Sequence, residues 1–240
     1  GGGQIEVVNP GTGQVFATQA LADPADVDRA VAAATRVHHS RALTALRPVE
    51  RGRMVQAMGQ YILDHLDQYA RLLTLEQGKP LWEAEIEMRG AARYFEYYGN
   101  QADTVEGRSI PLGDGYIDYT TNEPYGVTAH IIPWNYPVEM TARSVSAALA
   151  TGNTCVIKTP ELTPLAAAVF ALAAESAGFP AGTINVLCGL GHVAGAALAG
   201  HPGVNQIVFT GSVRTGIAIA TAAAQNVVPC VLELGGKSAA

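Results

Sequence analysis

Four short stretches carry residues that could do chemistry. Asn135 lies in Pro133-Trp134-Asn135-Tyr136-Pro137, and Lys158 precedes Glu161 by three residues. Thr210-Gly211-Ser212-Val213-Arg214-Thr215-Gly216 is a glycine-bearing turn, and Glu233 leads into Leu234-Gly235-Gly236-Lys237. An amide N–H₂ held between two prolines can be aimed at an oxygen on which charge develops. A carboxylate such as Glu161 can accept hydrogen bonds from sugar hydroxyls. Backbone N–H groups at the head of a helix attract phosphate, and glycine lets it approach closely. An acid placed beside water can act as a general base. Each stretch also has a plainer explanation: a helix cap for Asn135, a surface ion pair for Lys158 and Glu161, chain-turning glycines, and a solvated loop acid at Glu233. The lysines argue against chance, because the chain has only Lys79, Lys158 and Lys237, and two of them fall in these windows.

The elements that must position these residues follow from periodicity and punctuation. Asp23, Pro24 and Asp26 read as a helix start, with helices over 25–37, 48–66, 67–77 and 81–99. Residues 1–105 therefore read as a helical N-terminal part. Pro111, Gly113, Asp114 and Gly115 mark a turn ahead of an alternating strand at 116–121, so 106–124 reads as a hairpin standing off the main body, a candidate oligomerisation element. From residue 125, strands at 127–132, 154–157, 184–187, 206–209 and 229–233 alternate with helices starting near Pro137, Pro164, His192 and Ser212. That alternation makes an α/β fold, a Rossmann-like parallel five-stranded sheet with helices on both faces. Ligands of such sheets bind beyond the carboxyl ends of the strands, where all four stretches fall.

One stretch is a decoy. Gly189, Gly191 and Ala194 have the spacing of a dinucleotide fingerprint, but no Asp or Glu occurs between Glu175 and Glu233 to hold a ribose. The residues alone leave a pyrophosphate divided between this turn and 211–216, with the second favoured.

Composition removes other classes. The 240 residues carry 15 basic and 21 acidic side chains, a net charge of −6, which argues against nucleic acid as a partner. Glu175 interrupts the alanine-rich run after Pro164, so no membrane span is expected. The start of the chain has no basic and apolar leader, and the three dispersed cysteines do not suggest a disulfide framework. A cytoplasmic setting follows as the expectation. The six histidines lack metal-ligand spacing, and no metal is expected.

In their order and separation, IIPWNYP, IKTPELTP, FTGSVRTG and ELGGKSA resemble the aldehyde dehydrogenase superfamily, over residues 9–240. The likeness is to the N-terminal, cofactor-binding half, an incomplete aldehyde dehydrogenase fold without its catalytic domain. It implies NAD(P)-dependent oxidation of an aldehyde to a carboxylic acid, in a full-length homo-oligomer, dimer or tetramer. By similarity Asn135 is the oxyanion donor and Glu233 the general base, which points to the hydrolytic branch. Ile131, Pro133, Trp134, Lys158, Glu161, Gly191, Thr210, Gly211, Ser212, Gly216, Leu234 and Gly235 would hold the cofactor. Glu161 would repel a 2′-phosphate, favouring NAD over NADP. The family's nucleophilic cysteine would lie beyond Ala240, since Cys155, Cys188 and Cys230 sit in strands. The isolated chain is then expected to bind cofactor without turning over; the alternative is a noncatalytic dinucleotide-binding or subunit-interaction module. Asn135 and Glu233 are expected to face one shared cavity.

Overall fold

The computed structural model describes residues 2–237, so Ser238 and Ala239 of the last motif lie outside the described residues. Its helices begin and end where local chemistry tells them to. Helix α1 (Pro24–His39) opens on a reciprocal cap, Asp26 N–H donating to Asp23 Oδ1 at 2.9 Å and Asp23 N–H to Asp26 Oδ2 at 3.0 Å. Its apolar stripe Val27, Ala30, Val31, Ala34 and Val37 is buried. Helices α2 (Pro48–Asp64), α3 (Leu66–Gln77) and α4 (Leu81–Gln101) follow, and Gly78 ends α3 at φ +87, a conformation that favours glycine. α2 and α4 approach so closely that a Cβ on Gly52 would stand 2.4 Å from the Gly99 carbonyl oxygen.

The first hundred residues are not all helical. Strands β1 (Gln4–Asn9) and β2 (Gln14–Ala20) pair antiparallel around a turn in which Gly13 N–H donates to Asn9 O at 2.8 Å and Gly13 takes φ +70. Only Val7 in this hairpin is buried, so the apolar alternation that announces a strand is nearly absent. The second hairpin is also shorter than expected, with β3 (Ser109–Ile110) pairing β4 (Asp118–Tyr119). Tyr116, Ile117 and Tyr119 stand exposed there, with no sheet face to bury.

The main sheet has five parallel strands in the order β7 (Ile184–Cys188), β6 (Thr154–Thr159), β5 (Val127–Ile131), β8 (Gln206–Gly211), β9 (Cys230–Leu234). β5 and β6 are buried throughout, as an apolar run covered on both faces should be. One face packs Cys155 and Ile157 against α2 to α4, α5 (Pro137–Ala150) and α6 (Ala168–Ser176). The other packs Val127, Ala129, Ile131, Ile207 and Phe209 against α1, α7 (Ala196–Ala199) and α8 (Val213–Ala224). Two of the expected helix starts move. A π-helical turn at Gly191–Gly195 precedes α7, and α6 begins four residues after Pro164, beyond a turn in which the amides of Leu165 and Ala166 find an acceptor on another element.

Those amides donate to the buried carboxylate of Glu76, at 2.7 and 2.9 Å. Burial pushes the Glu76 carboxyl up from 4.5 to about 7, against the pull of the two N–H groups, and the charge of Glu87 adds to the rise. The folded chain therefore holds this proton more tightly than the unfolded chain. The resulting stability is present below about pH 4.5 and lost as pH rises through about 7, on the order of 3 kcal/mol across the window. Urea midpoints should fall between about pH 5 and about pH 8, and the slope should flatten in Glu76→Gln. Equal slopes in the two proteins would exclude Glu76 as its source.

Candidate functional site

After β5 the chain runs outward through β6 and β7 on one side and returns to build β8 and β9 on the other. The crevice of such a sheet opens where the order reverses, between β5 and β8. Ile131 is in register with both Lys158 and Phe209, and Thr210 with Glu233, so the sheet delivers these residues to one edge. Ile131 itself is buried, and Pro133 is half-buried just beyond it.

The turn after β5 exposes Trp134, Asn135 and Tyr136. Asn135 does not cap α5. Glu87 of α4 does so, its Oε1 accepting from the N–H groups of Val138 at 2.9 Å and Glu139 at 3.2 Å. The Asn135 carbonyl accepts from Lys79 Nζ at 3.0 Å and Gln77 Nε2 at 3.3 Å. Its side-chain amide makes no hydrogen bond among the described residues, which leaves both N–H donors available to a ligand.

On the other flank Lys158 Nζ donates to Glu161 Oε2 at 2.7 Å, the lysine buried and the glutamate half-exposed. Burial opposes ionisation of Glu161, but the ammonium of Lys158 and the N–H groups of Glu161 and Gly191 hold its carboxyl below its ordinary value. The Gly191 amide of the decoy turn thus faces the Glu161 carboxylate. Gly189 serves packing, since a Cβ there would meet Ala194 Cβ at 2.5 Å. Gly191 borders a cleft of about 520 Å³ between α7 and α8, walled by Ile131, Ala196, Ala199, Ala218, Ile219 and Ala222.

α8 starts at this cleft. Ser212 Oγ caps it, accepting from Thr215 N–H at 3.2 Å. The amides of Val213 and Arg214 have no acceptor among the described residues, the ordinary state of a first helical turn. Gly211 makes room for the Phe209 ring, 2.4 Å from a would-be Cβ. Buried Gly216 takes the Leu234 side chain in the same way, 2.6 Å from Leu234 Cδ2, while Gly235 stands exposed beyond it.

Glu233 projects from β9 with Val231 toward a second cavity of about 440 Å³, shared with Tyr98, His130, Arg143 and Val208. Asn135 is not among the residues lining it, so this cavity is not the shared one expected for Asn135 and Glu233. The reason is local: Glu233 Oε1 lies 3.7 Å from Arg143 Nη1, on the flank of α5, and Arg143 Nη2 donates to Thr210 Oγ1 at 3.5 Å. His130 is neutral there, burial pushing it down to about 3. Its Nε2 lies 2.9 Å from Thr128 Oγ1 and its Nδ1 2.9 Å from Ser144 Oγ.

None of the three thiols is poised for attack. Burial pushes Cys155 up to about 12, and it raises Cys188 and Cys230 as well. Cys230 packs on the α8 side of β9, opposite the face that carries Glu233. The sequence reading missed Lys79, Glu87 and Arg143. Lys79 was visible only as the lysine outside the strand-end windows, and Glu87 as one acid among several on an amphipathic helix. Among the described residues no group of His, Cys, Asp and Glu could hold a metal, and no helix is long and apolar enough to cross a membrane.

A family model described as the aldehyde dehydrogenase family matches residues 1–240. Hydroxyisobutyraldehyde dehydrogenase of Mycolicibacterium austroafricanum is 41% identical over 237 residues, 99% of this chain and 47% of that protein. Retinal dehydrogenase 2 of Homo sapiens is 40% identical, over 97% of this chain and 45% of its own length. PnpE from Pseudomonas sp. WBC-3 superposes with a TM-score of 0.95 at 42% identity, covering 98% of this chain and 48% of that one. A structure of PnpE in complex with nicotinamide adenine dinucleotide matches with the same TM-score at 41% identity, over 99% of this chain and 49% of that one. The chain spans about half the length of the curated relatives it matches. With its parallel sheet, its strand-end motifs and this likeness over its whole length, the chain belongs to the aldehyde dehydrogenase family.

Proposed function

We propose that this chain is the cofactor-binding half of an enzyme that oxidises an aldehyde to a carboxylic acid with NAD, and with NADP less readily. The observation that carries the reading is the Lys158–Glu161 pair beside Gly191, which itself lines a cleft shared with Arg214 and Thr215 at the capped start of α8. The residues fit a dinucleotide. Apolar walls between α7 and α8 suit a purine, Glu161 can accept from ribose hydroxyls, and Ser212 with the first amides of α8 suits a pyrophosphate. Gly211 and Gly216 keep that turn close to the sheet. Ile131, Pro133, Trp134, Thr210, Leu234 and Gly235 lie along the rest of the carboxyl edge, toward the nicotinamide. Bound NAD would supply the hydride acceptor.

The free amide of Asn135 would donate to the substrate oxygen as negative charge grows on it. Glu233, released from Arg143, would take a proton from the water that hydrolyses the acyl intermediate. The nucleophile is then a cysteine beyond residue 240, and the isolated chain binds cofactor without turnover. The exposed Tyr116, Ile117 and Tyr119 of the hairpin fit a subunit interface, and the three unpaired cysteines fit a cytoplasmic setting.

Calorimetric titration tests the cofactor assignment. A 2′-phosphate at about 4 Å from Glu161 is opposed by roughly 4 kcal/mol at an effective dielectric near 20. NADP should bind at least about tenfold more weakly than NAD, and Glu161→Ala should narrow the gap by raising NADP affinity relative to NAD. Equal affinities in the unmodified chain would refute the preference, and absence of binding by either would refute the site.

A further inference from the structure

The turn that presents Asn135 is gripped from one side by groups outside every strand-end motif. Lys79 and Glu87 form a buried ion pair, their side chains 4% and 0% exposed. Both ends of the pair continue into the turn. Lys79 Nζ donates to the Asn135 carbonyl at 3.0 Å and stands 3.9 Å from the centre of the Tyr136 ring, a cation–π contact. Glu87 Oε1 takes the N–H groups of Val138 and Glu139, while its Oε2 takes Lys79. One turn earlier on α4, Glu83 Oε1 accepts from Tyr136 Oη at 2.7 Å. Residues 135 to 139 are therefore tied to Lys79, Glu83 and Glu87 by four hydrogen bonds and one ring contact, none of which uses the Asn135 side chain.

Burying two charges is costly, and a pair is retained without penalty only when further hydrogen bonds satisfy both ions. Here those further bonds all go to one short turn. Two of these bonds cap α5 at Val138 and Glu139, and the one from Lys79 reaches back to the Asn135 carbonyl, which no helix cap requires.

We infer that Lys79 and Glu87 are positioning residues, which fix the backbone of the Asn135 turn so that its amide is already aimed when substrate arrives. The inference rests on the oxyanion role proposed for Asn135. Fixed aim matters because a donor acts on developing charge only if it needs no reorganisation at that moment.

The test uses the full-length enzyme with Lys79→Met, and Lys79→Met/Glu87→Gln in case the single variant leaves a buried charge that prevents folding. Backbone amide exchange is read over 133–140 and, as an internal control, over β6. Exchange in the turn should accelerate by about tenfold with β6 unchanged. The value of kcat should fall about ten- to a hundredfold with KM for the aldehyde within about threefold, the pattern of an interaction made only in the transition state. A merely structural pair would loosen β6 as well, and that result overturns the inference. So does a folded variant whose turn exchanges at the original rate, or one whose turn loosens while kcat stays unchanged although Asn135→Ala is impaired. If Asn135→Ala keeps full kcat, the oxyanion reading falls separately, and turn exchange alone decides whether Lys79 holds the turn.

Discussion

Alanine at position 135 in the full-length enzyme is expected to lower kcat by about 10²- to 10³-fold, the loss typical of deleting one oxyanion donor. Among the described residues the side-chain amide has no hydrogen bond to lose, since only the Asn135 carbonyl is engaged, by Lys79 and Gln77. Stability should therefore change little, and the cost should appear in the chemical step. The measurement is a paired one: steady-state kinetics with NAD saturating, and thermal unfolding of the same preparations. A variant with near-normal kcat would show that Asn135 is a turn residue and nothing more. A large drop in melting temperature would show that its side chain supports the fold in a way the structure does not reveal.

The second large effect is on stability. Phe95 is fully buried on α4 and its ring lies 5.9 Å from that of Phe170 on α6, within the core that joins the helical layer to the sheet. Phe95→Ala should cost about 3–5 kcal/mol, the transfer of a large side chain plus the void it leaves. Much of a domain's net stability is of that size. Equilibrium urea unfolding should show the midpoint falling sharply with an unchanged slope. A loss under about 1 kcal/mol would mean that the α4–α6 contact collapses to fill the void.

The legible parts of this fold were those written in short-range chemistry. Asp23 with Pro24 starts α1, Gly78 stops α3, and the apolar runs of β5 and β6 declare themselves buried strands. The strand-end rule brings Lys158, Glu161, Ser212 and Glu233 to one edge from the sequence alone. The β1–β2 hairpin escaped because it shows almost no alternation between buried and exposed positions, although Asn9-Pro10-Gly11-Thr12-Gly13 was a readable turn. Lys79 and Glu87 escaped for another reason. Their partners lie 51 to 56 residues further along the chain, and no spacing rule reaches across that gap. The direction of Glu233 was equally hidden, since it depends on Arg143 reaching across from α5.

One edge of the sheet has a consequence for handling this protein. Among the described residues β9 pairs only with β8, and its other side keeps a row of backbone donors and acceptors flanked by exposed Val231 and Leu234. Such a border is a template for strand addition from any neighbour, another copy included. Where nothing covers that side of β9, raising the concentration should favour such pairing, which light scattering across a dilution series would register.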